Sequence, residues 1–198
     1  LKNSLSPTAR ILLYHRIAEV KNDPYWLAVS PDNFREHLKY LRNRFRIVPL
    51  LQLADELGAK KIINNTVAIT FDDGYADNLY NAVPILKELN IPATIFLTAG
   101  YIGSDKTFYW DKDTPMKDRG RPMTQEEIRQ LSMIRLIEVG GHTVSHPKLA
   151  KLLESEQIQE ITEGKEILEK ILNIPLSSFA YPFGGKDSFN SQTTELVK

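Results

Sequence analysis

The chain contains no cysteine. Disulfides, thiolate metal sites and a cysteine nucleophile are therefore excluded, while the compartment is left open. It carries no net charge, with 25 basic and 25 acidic side chains among 198 residues. A chain so balanced lacks the basic field with which proteins attract nucleic acid. It also lacks an apolar run near the roughly 20 residues that cross a bilayer. No secretory signal is visible, and the first residue is Leu1 rather than a methionine, which leaves room for an upstream piece. No repeat or low-complexity tract interrupts the sequence, and there are four histidines in all. What remains is an ordinary soluble composition, 42% apolar and 25% charged. A chain of this length buries a core without staples, so we expect one domain over residues 1–198.

Short apolar, β-branched runs alternate with helical patterns. RILLYH (Arg10–His15), FRIVPL, TVAITF, ATIFLT, LIEVGGH and SFAYPFG read as strands. Ser30-Pro31 pairs a capping side chain with a proline at the first helical position, and Phe34, Leu38 and Leu41 follow at helical spacing. LLQLADELG reads as a short helix closed by Gly58. Leu79, Val83 and Leu86 share one helical face, ended by Asn90-Ile91-Pro92. Thr124 to Glu127 fits a capping box. Ser155 to Leu172 predicts a long helix carrying Ile158, Ile161, Lys165, Leu168 and Leu172. This alternation predicts an α/β fold with a mainly parallel sheet. The strands exceed a small open sheet but fall short of eight βα units. The chain stops at Lys198 inside a helical pattern, so we expect further C-terminal residues in the natural protein. Ile102 to Pro122 has little periodicity and holds Phe108, Tyr109 and Trp110; loops of that length often carry function.

Chemistry in parallel α/β sheets collects at the carboxyl ends of strands. Three polar clusters fall there: Thr70-Phe71-Asp72-Asp73-Gly74, the GGHTVSHP stretch holding His142 and His146, and AYPFGG from Ala180 to Gly185. Two imidazoles four residues apart on a helical turn share one side and can share a metal, or they are two polar residues of a surface loop. Asp72 and Asp73 repel each other unless a cation lies near. With the histidines, one aspartate can complete a two-histidine, one-carboxylate site, leaving its neighbour to take a proton from water. Either aspartate alone would also suit a helix start.

TFDDG followed some seventy residues later by HTVSHP resembles the polysaccharide deacetylases of carbohydrate esterase family 4, the nodulation-type chitooligosaccharide deacetylase domain. The family patterns T-F-D-D-G and H-[ST]-x-x-H-P are both matched in full, over a region from about Val67 to Gly185. The resemblance implies an irregular, incomplete (β/α)7-type barrel with mainly parallel strands. It implies Asp72 as general base and Asp73, His142 and His146 as ligands of a divalent metal, zinc first, with cobalt or nickel as alternatives. It further implies an acetylated glycan as substrate, hydrolysed at N-acetyl groups of amino sugars or O-acetyl groups of xylan.

Two departures refine it. The third family motif, R-x-P-[FY], appears as Ala180-Tyr181-Pro182-Phe183, without the arginine that orients the base. A backbone N–H at Phe183 would still serve the oxyanion, with Tyr181 and Pro182 beside the substrate; a plain strand end and turn fits the same residues. The last motif, L-x-H, is absent near the C-terminus but occurs at Leu13-Tyr14-His15. This is similar to the circularly permuted branch that includes poly-N-acetylglucosamine deacetylases, and it makes His15 the general acid. From the residues alone, His15 reads as a structural strand-end histidine, and His37, inside a helical pattern, as structural or solvated. Tyr109 and Trp110 form one wall of a glycan groove or, in the plainer reading, part of a hydrophobic plug. Rival functions are hydrolysis of a non-sugar amide or an O-acetyl ester on the same fold, and a glycan-binding module without catalysis. Oligomeric state is silent.

Overall fold

The computed structural model describes residues 8–61, 63–103 and 106–198. Ser104 and Asp105, within the long aromatic loop, and the first seven residues lie outside the described set. The chain opens with β1 (Ala9–Tyr14), β2 (Arg16–Ile17) and β3 (Ala28–Val29), then α1 (Pro31–Arg44). The α1 start follows the expected capping: the Ser30 side chain accepts the Asn33 N–H, and Phe34, Leu38 and Leu41 face inward. Next come β4 (Arg46–Ile47), α2 (Leu50–Gly58), β5 (Thr66–Phe71), α3 (Val83–Leu89) and β6 (Ala93–Leu97). The chain ends with α4 (Gln125–Ser132), β7 (Ile137–Gly141), α5 (Glu154–Leu172) and α6 (Ser191–Leu196).

Five strands form one parallel sheet in the order β1-β5-β6-β7, with β4 also on β5. Strand β5 is buried over all six residues, as a strand covered on both faces must be. It pairs with β1 along its whole length, with β4 at Thr66 and Val67, and with β6 at Thr70 and Phe71. Splaying β4 and β6 along one edge of β5 is how the sheet bends toward an incomplete barrel. Among the described residues the ladder does not close, and Ile11 and Leu13 of β1 are exposed. The core lies between sheet and helices, where Phe34 of α1 meets Phe71 and Tyr14 edge-on at 5.7 and 5.1 Å. Leu86 of α3, Ile128 and Leu131 of α4 and Leu168 of α5 continue it.

Several expectations need correction. FRIVPL yields two strand residues, because β4 reaches only the start of β5 before Pro49 begins α2. Gly58 is the last helical residue rather than a left-handed cap; Lys60, at φ 55°, makes that turn. The face of Leu79, Val83 and Leu86 is buried, but it begins in a π-helical turn, Asn78–Ala82, before α3. In α5 the inward residues include Gln157, Ile161, Gly164 and Leu168, so Ile158 and Lys165 face outward. SFAYPFG forms one parallel bridge, Phe179 to Gly141, and then Phe183 enters the left-handed region at φ 65° and turns the chain before a strand can extend.

Candidate active site

The sheet brings the ends of β5 and β7 together across β6. The Asp72 N–H donates to the Tyr14 carbonyl at 3.0 Å, and the His142 N–H to the Leu97 carbonyl at 3.0 Å, so both residues continue their ladders by one step. Asp73 then turns left-handed (φ 72°). Gly74 follows at φ 83°, where a Cβ would stand 2.7 Å from the Leu97 side chain, so only glycine fits without displacement.

His142 and His146 are not on a helical turn. Thr143 (φ 65°) and His146 (φ 63°) are both left-handed, and the chain between them is a loop. That loop is tied from α5: the Glu160 carboxylate accepts the N–H groups of Val144 and Ser145 at 2.9 and 2.8 Å. The Thr143 hydroxyl accepts the His146 N–H at 3.0 Å. Gly164 lets α5 approach closely, since a Cβ there would lie 3.0 Å from the Thr143 carbonyl carbon. The result sets the two imidazole rings 4.8 Å apart.

Asp73 Oδ1 lies 3.6 Å from His142 Nε2 and 3.4 Å from His146 Nε2. One ligand atom from each of the three residues falls within 4.8 Å of the others. Asp73 Oδ1 is buried without a hydrogen-bond partner, a costly state for a carboxylate oxygen unless a cation completes it. The His142 Nδ1 sits 2.9 Å from the Ala180 carbonyl; donation there leaves Nε2 as the lone pair facing Asp73. The donor set fits a divalent ion of the zinc type. Asp72 differs from its neighbour. Its side chain is 13% exposed against 2% for Asp73, and it lies 3.9 Å from His142 Nε2. One carboxylate is sunk among the imidazoles; the other faces open space.

Burial governs the electrostatics. It pushes Asp72 up to about 7. It pushes Asp73 well above the usual carboxylate range, helped by the charges of Asp72 and Asp111. It pushes His142 down to about 3, with His146 adding to the effect, and His146 down to about 4, with His15 adding. Neutral imidazoles are what a metal requires of its ligands, and a bound cation would draw the carboxyls back to the charged form. His15 is also lowered by burial, against a smaller upward pull from the Asp23 charge. Among the described residues no arginine or lysine pairs with Asp72, so no cation stands where the missing motif arginine would.

Asp72, Asp73 and His146 open onto a cavity of about 400 Å³. Its walls include His15, Tyr109, Trp110, Tyr181 and Phe183. Pro182, expected beside the substrate, is buried and is not part of the wall. His37 lies away from the cavity, with Nδ1 3.3 Å from the Tyr14 hydroxyl. The aromatic loop serves both of its readings: Phe108 is fully buried as the plug, while Tyr109 is 44% exposed in the wall. Trp110 stacks on Phe108 (4.8 Å, 12°) and meets the His146 ring at 4.6 Å.

Sequence reasoning missed what holds Trp110. Its indole N–H donates to the Tyr75 hydroxyl at 2.7 Å, which donates to Asp111 Oδ2 at 2.8 Å. The Arg16 guanidinium lies over the Tyr75 ring at 5.0 Å. It also missed Tyr25, a further cavity residue, whose approach to the cavity depends on a distant loop. A tyrosine directly after the DDG turn was the one available signal for the first.

The family model for polysaccharide deacetylases matches residues 59–198. The chain is 28% identical over 190 residues to the Bacillus subtilis protein named "Putative polysaccharide deacetylase YxkH", covering 95% of this chain and 60% of that one. It is 25% identical over 183 residues to the poly-beta-1,6-N-acetyl-D-glucosamine N-deacetylase of Staphylococcus aureus, covering 88% and 58%. The chain thus spans about three fifths of the length of these curated relatives. Among solved structures, that of IcaB from Ammonifex degensii superposes with a TM-score of 0.79 at 25% identity, covering 96% of this chain and 78% of that one.

Proposed function

The chain belongs to the polysaccharide deacetylase family, and from that premise we propose that it is a metal-dependent hydrolase that removes acetyl groups from a glycan, N-acetylglucosamine-type sugars above all. The observation that carries the reading is the cluster of Asp73, His142 and His146, within 4.8 Å, with the Asp72 carboxyl beside it on the floor of an aromatic-walled cavity. Asp73, His142 and His146 would hold the ion, zinc in the first place. When bound, it supplies a Lewis acid that polarises the acetyl carbonyl and acidifies water.

The remaining steps belong to the chain. Asp72 takes a proton from the attacking water. The Phe183 N–H donates to the carbonyl oxygen as negative charge develops there. His15 gives a proton to the departing amine; a histidine held below its ordinary pKa by burial is a stronger acid once protonated. Tyr109, Trp110 and Tyr181 hold the sugar. Acetate and a free amino sugar leave. An O-acetyl ester or a non-sugar amide would use the same steps with another leaving group, and the named substrate of the Staphylococcus aureus relative favours the acetamide. A binding module without catalysis has no reason to keep both aspartates and both histidines.

The test is acetate release from N-acetylglucosamine oligomers and from a simple acetyl ester, with and without zinc or cobalt, alongside metal content. Asp72→Asn is expected to keep the metal and lose about 10³-fold in rate. His146→Ala is expected to lose both. A His146→Ala protein that keeps its metal and full activity would sink the ligand assignment. Sugar binding with neither turnover nor metal would move the reading to the binding module.

A further inference from the structure

His15 stands at a joint in the fold. Strand β1 ends at Tyr14, whose carbonyl accepts the Asp72 N–H at 3.0 Å. Strand β2 starts at Arg16, whose N–H donates to the Leu27 carbonyl at 3.0 Å, and it belongs to a separate two-stranded sheet with β3. His15 is the single residue between the two sheets, and it lines the cavity with Asp72 and His146. The carbonyl of such a residue has no strand partner and needs another.

The π-helical turn supplies it. That turn closes from the Val83 N–H to the Asn78 carbonyl, five residues back, and Pro84 after it has no N–H with which to continue an ordinary helical ladder. Three polar side chains at the turn grip the joint. Asn78 Nδ2 donates to the His15 carbonyl at 2.8 Å. Asp77 accepts the Ile17 N–H at 3.1 Å and Arg16 Nε at 2.9 Å. Asn81 Nδ2 donates to the Ile17 carbonyl at 2.7 Å. Asn78 is fully buried, and its Oδ1 has no hydrogen-bond partner. Half of the amide is thus committed to the His15 carbonyl and half goes unpaired, a costly state that a clamp built for stability alone would avoid. Single π-helical turns gather at functional sites.

We infer that Asn78 is a positioning residue for the leaving-group proton: its hold on the His15 carbonyl, with Asp77 and Asn81 fixing β2, aims the His15 imidazole at the departing nitrogen. This rests on the deacetylase reading above, with His15 as its acid. An amine leaves only with a proton, whereas a phenolate leaves without one. A misplacement of about 1 Å can cost about 10²-fold. Poor aim should therefore slow an acetamide and spare an aryl ester.

The experiment compares zinc-dependent acetate release from an N-acetylglucosamine oligomer and from 4-nitrophenyl acetate, with metal content measured alongside. Asn78→Ala should lower kcat on the oligomer about 10- to 100-fold, with KM and zinc content unchanged. Its rate on the aryl ester should stay within about twofold. Added to His15→Ala, it should lower kcat on the oligomer no further, since it acts through His15. Asn81→Ala, one residue further from His15 along β2, should show the same split at about threefold. Equal losses on both substrates, or losses that multiply in the double variant, overturn the inference and leave Asn78 a structural residue, while the deacetylase reading stands. If Asn78→Ala does not fold, Asn81→Ala decides by the same two criteria. A His15→Ala protein with full activity on the oligomer also overturns it. If the zinc-loaded wild type releases acetate from no N-acetyl substrate, the deacetylase reading itself falls and the inference with it.

Discussion

The floor and the rim of the cavity are built by different means. The floor is Asp72, Asp73, His142 and His146, at the ends of two strands. Its ligand groups are almost sealed from water; main-chain bonds that continue the sheet set Asp72 and His142, and a loop tied by Glu160 and the Thr143 hydroxyl sets His146. The rim is Tyr25, Tyr109, Trp110 and Phe183, on three loops, with side chains partly or largely open to solvent. What fixes the rim is a set of side-chain ties: Asp23 and Asp118 for one loop, Tyr75 and Asp111 for another. The floor therefore determines the chemistry, and the rim determines what reaches it. Substitutions in the two should fail differently.

The largest effect belongs to the floor. Asp73→Ala removes the one carboxylate within reach of both imidazoles. Metal affinity should drop by more than the 10- to 100-fold that follows loss of an outer-sphere partner, and acetate release with it. Isothermal titration with zinc checks the first, and kinetics at saturating zinc the second. If Tyr109→Ala on the rim were equally damaging to metal affinity, the division between floor and rim would collapse.

Next in size is the rim's own anchor. Tyr75→Phe deletes the hydroxyl between Trp110 and Asp111, leaving an indole N–H and a carboxylate oxygen without that partner. A buried polar group so abandoned costs about 1–3 kcal/mol. Trp110 should loosen against His146, and KM for a glycan should rise several-fold while zinc affinity holds. Equal loss of zinc affinity would place Tyr75 with the floor.

The floor was legible in the sequence and the rim was not, for a physical reason. Thr66 to Phe71 advertises a buried strand by composition, and the acids at its end have no structural use together. His142 and His146 declare themselves by spacing, though the helical turn assumed for them is a loop that needs Glu160 from another element. The same long-range dependence hid the π-helical turn before α3 and the fate of SFAYPFG, whose one bridge to Gly141 gives way at a left-handed Phe183. Tyr25 carries no pattern at all. Its loop is tied locally by Asp23 and, at its other end, by Asp118, about ninety residues away.

A smaller effect tests how the floor's loop is supported. Gly164→Ala should add about 0.5–1 kcal/mol of helix preference to α5. It also presses a methyl to 3.0 Å from the Thr143 carbonyl carbon, and such overpacking costs about 1–3 kcal/mol. The second term is larger, so the melting temperature should fall and zinc affinity weaken modestly. A rise in melting temperature would mean that the loop yields freely and is not part of a rigid floor.

The smallest effect concerns where the aromatic loop returns to the sheet. The Glu127 carboxylate of α4 accepts from Arg121 Nη1 and the Thr124 N–H, each at 2.8 Å, and from the Tyr80 hydroxyl at 2.5 Å. The Arg121 carbonyl in turn accepts the Ala76 N–H at 2.9 Å, joining the loop to the turn after Asp73. The Arg121 bond, foremost, lowers the Glu127 carboxyl from its usual 4.5 to about 2. Between those values the unfolded chain binds a proton that the folded chain does not, so this contribution to stability is complete above pH 4.5 and lost as pH falls through about 2. Glu127→Gln should thus melt below the wild type at pH 6, and the two curves should converge between pH 4.5 and 2. Arg121 is 55% exposed, so water screens the pair and the gap should be small. Because the tie holds a rim loop, the variant should raise KM for an oligomer before it touches kcat or zinc affinity. A gap that persists at pH 2 would assign Glu127 a packing role instead, and the loop's return would then depend on main-chain bonds such as Ala76 N–H to the Arg121 carbonyl and Met123 N–H to the Gly74 carbonyl.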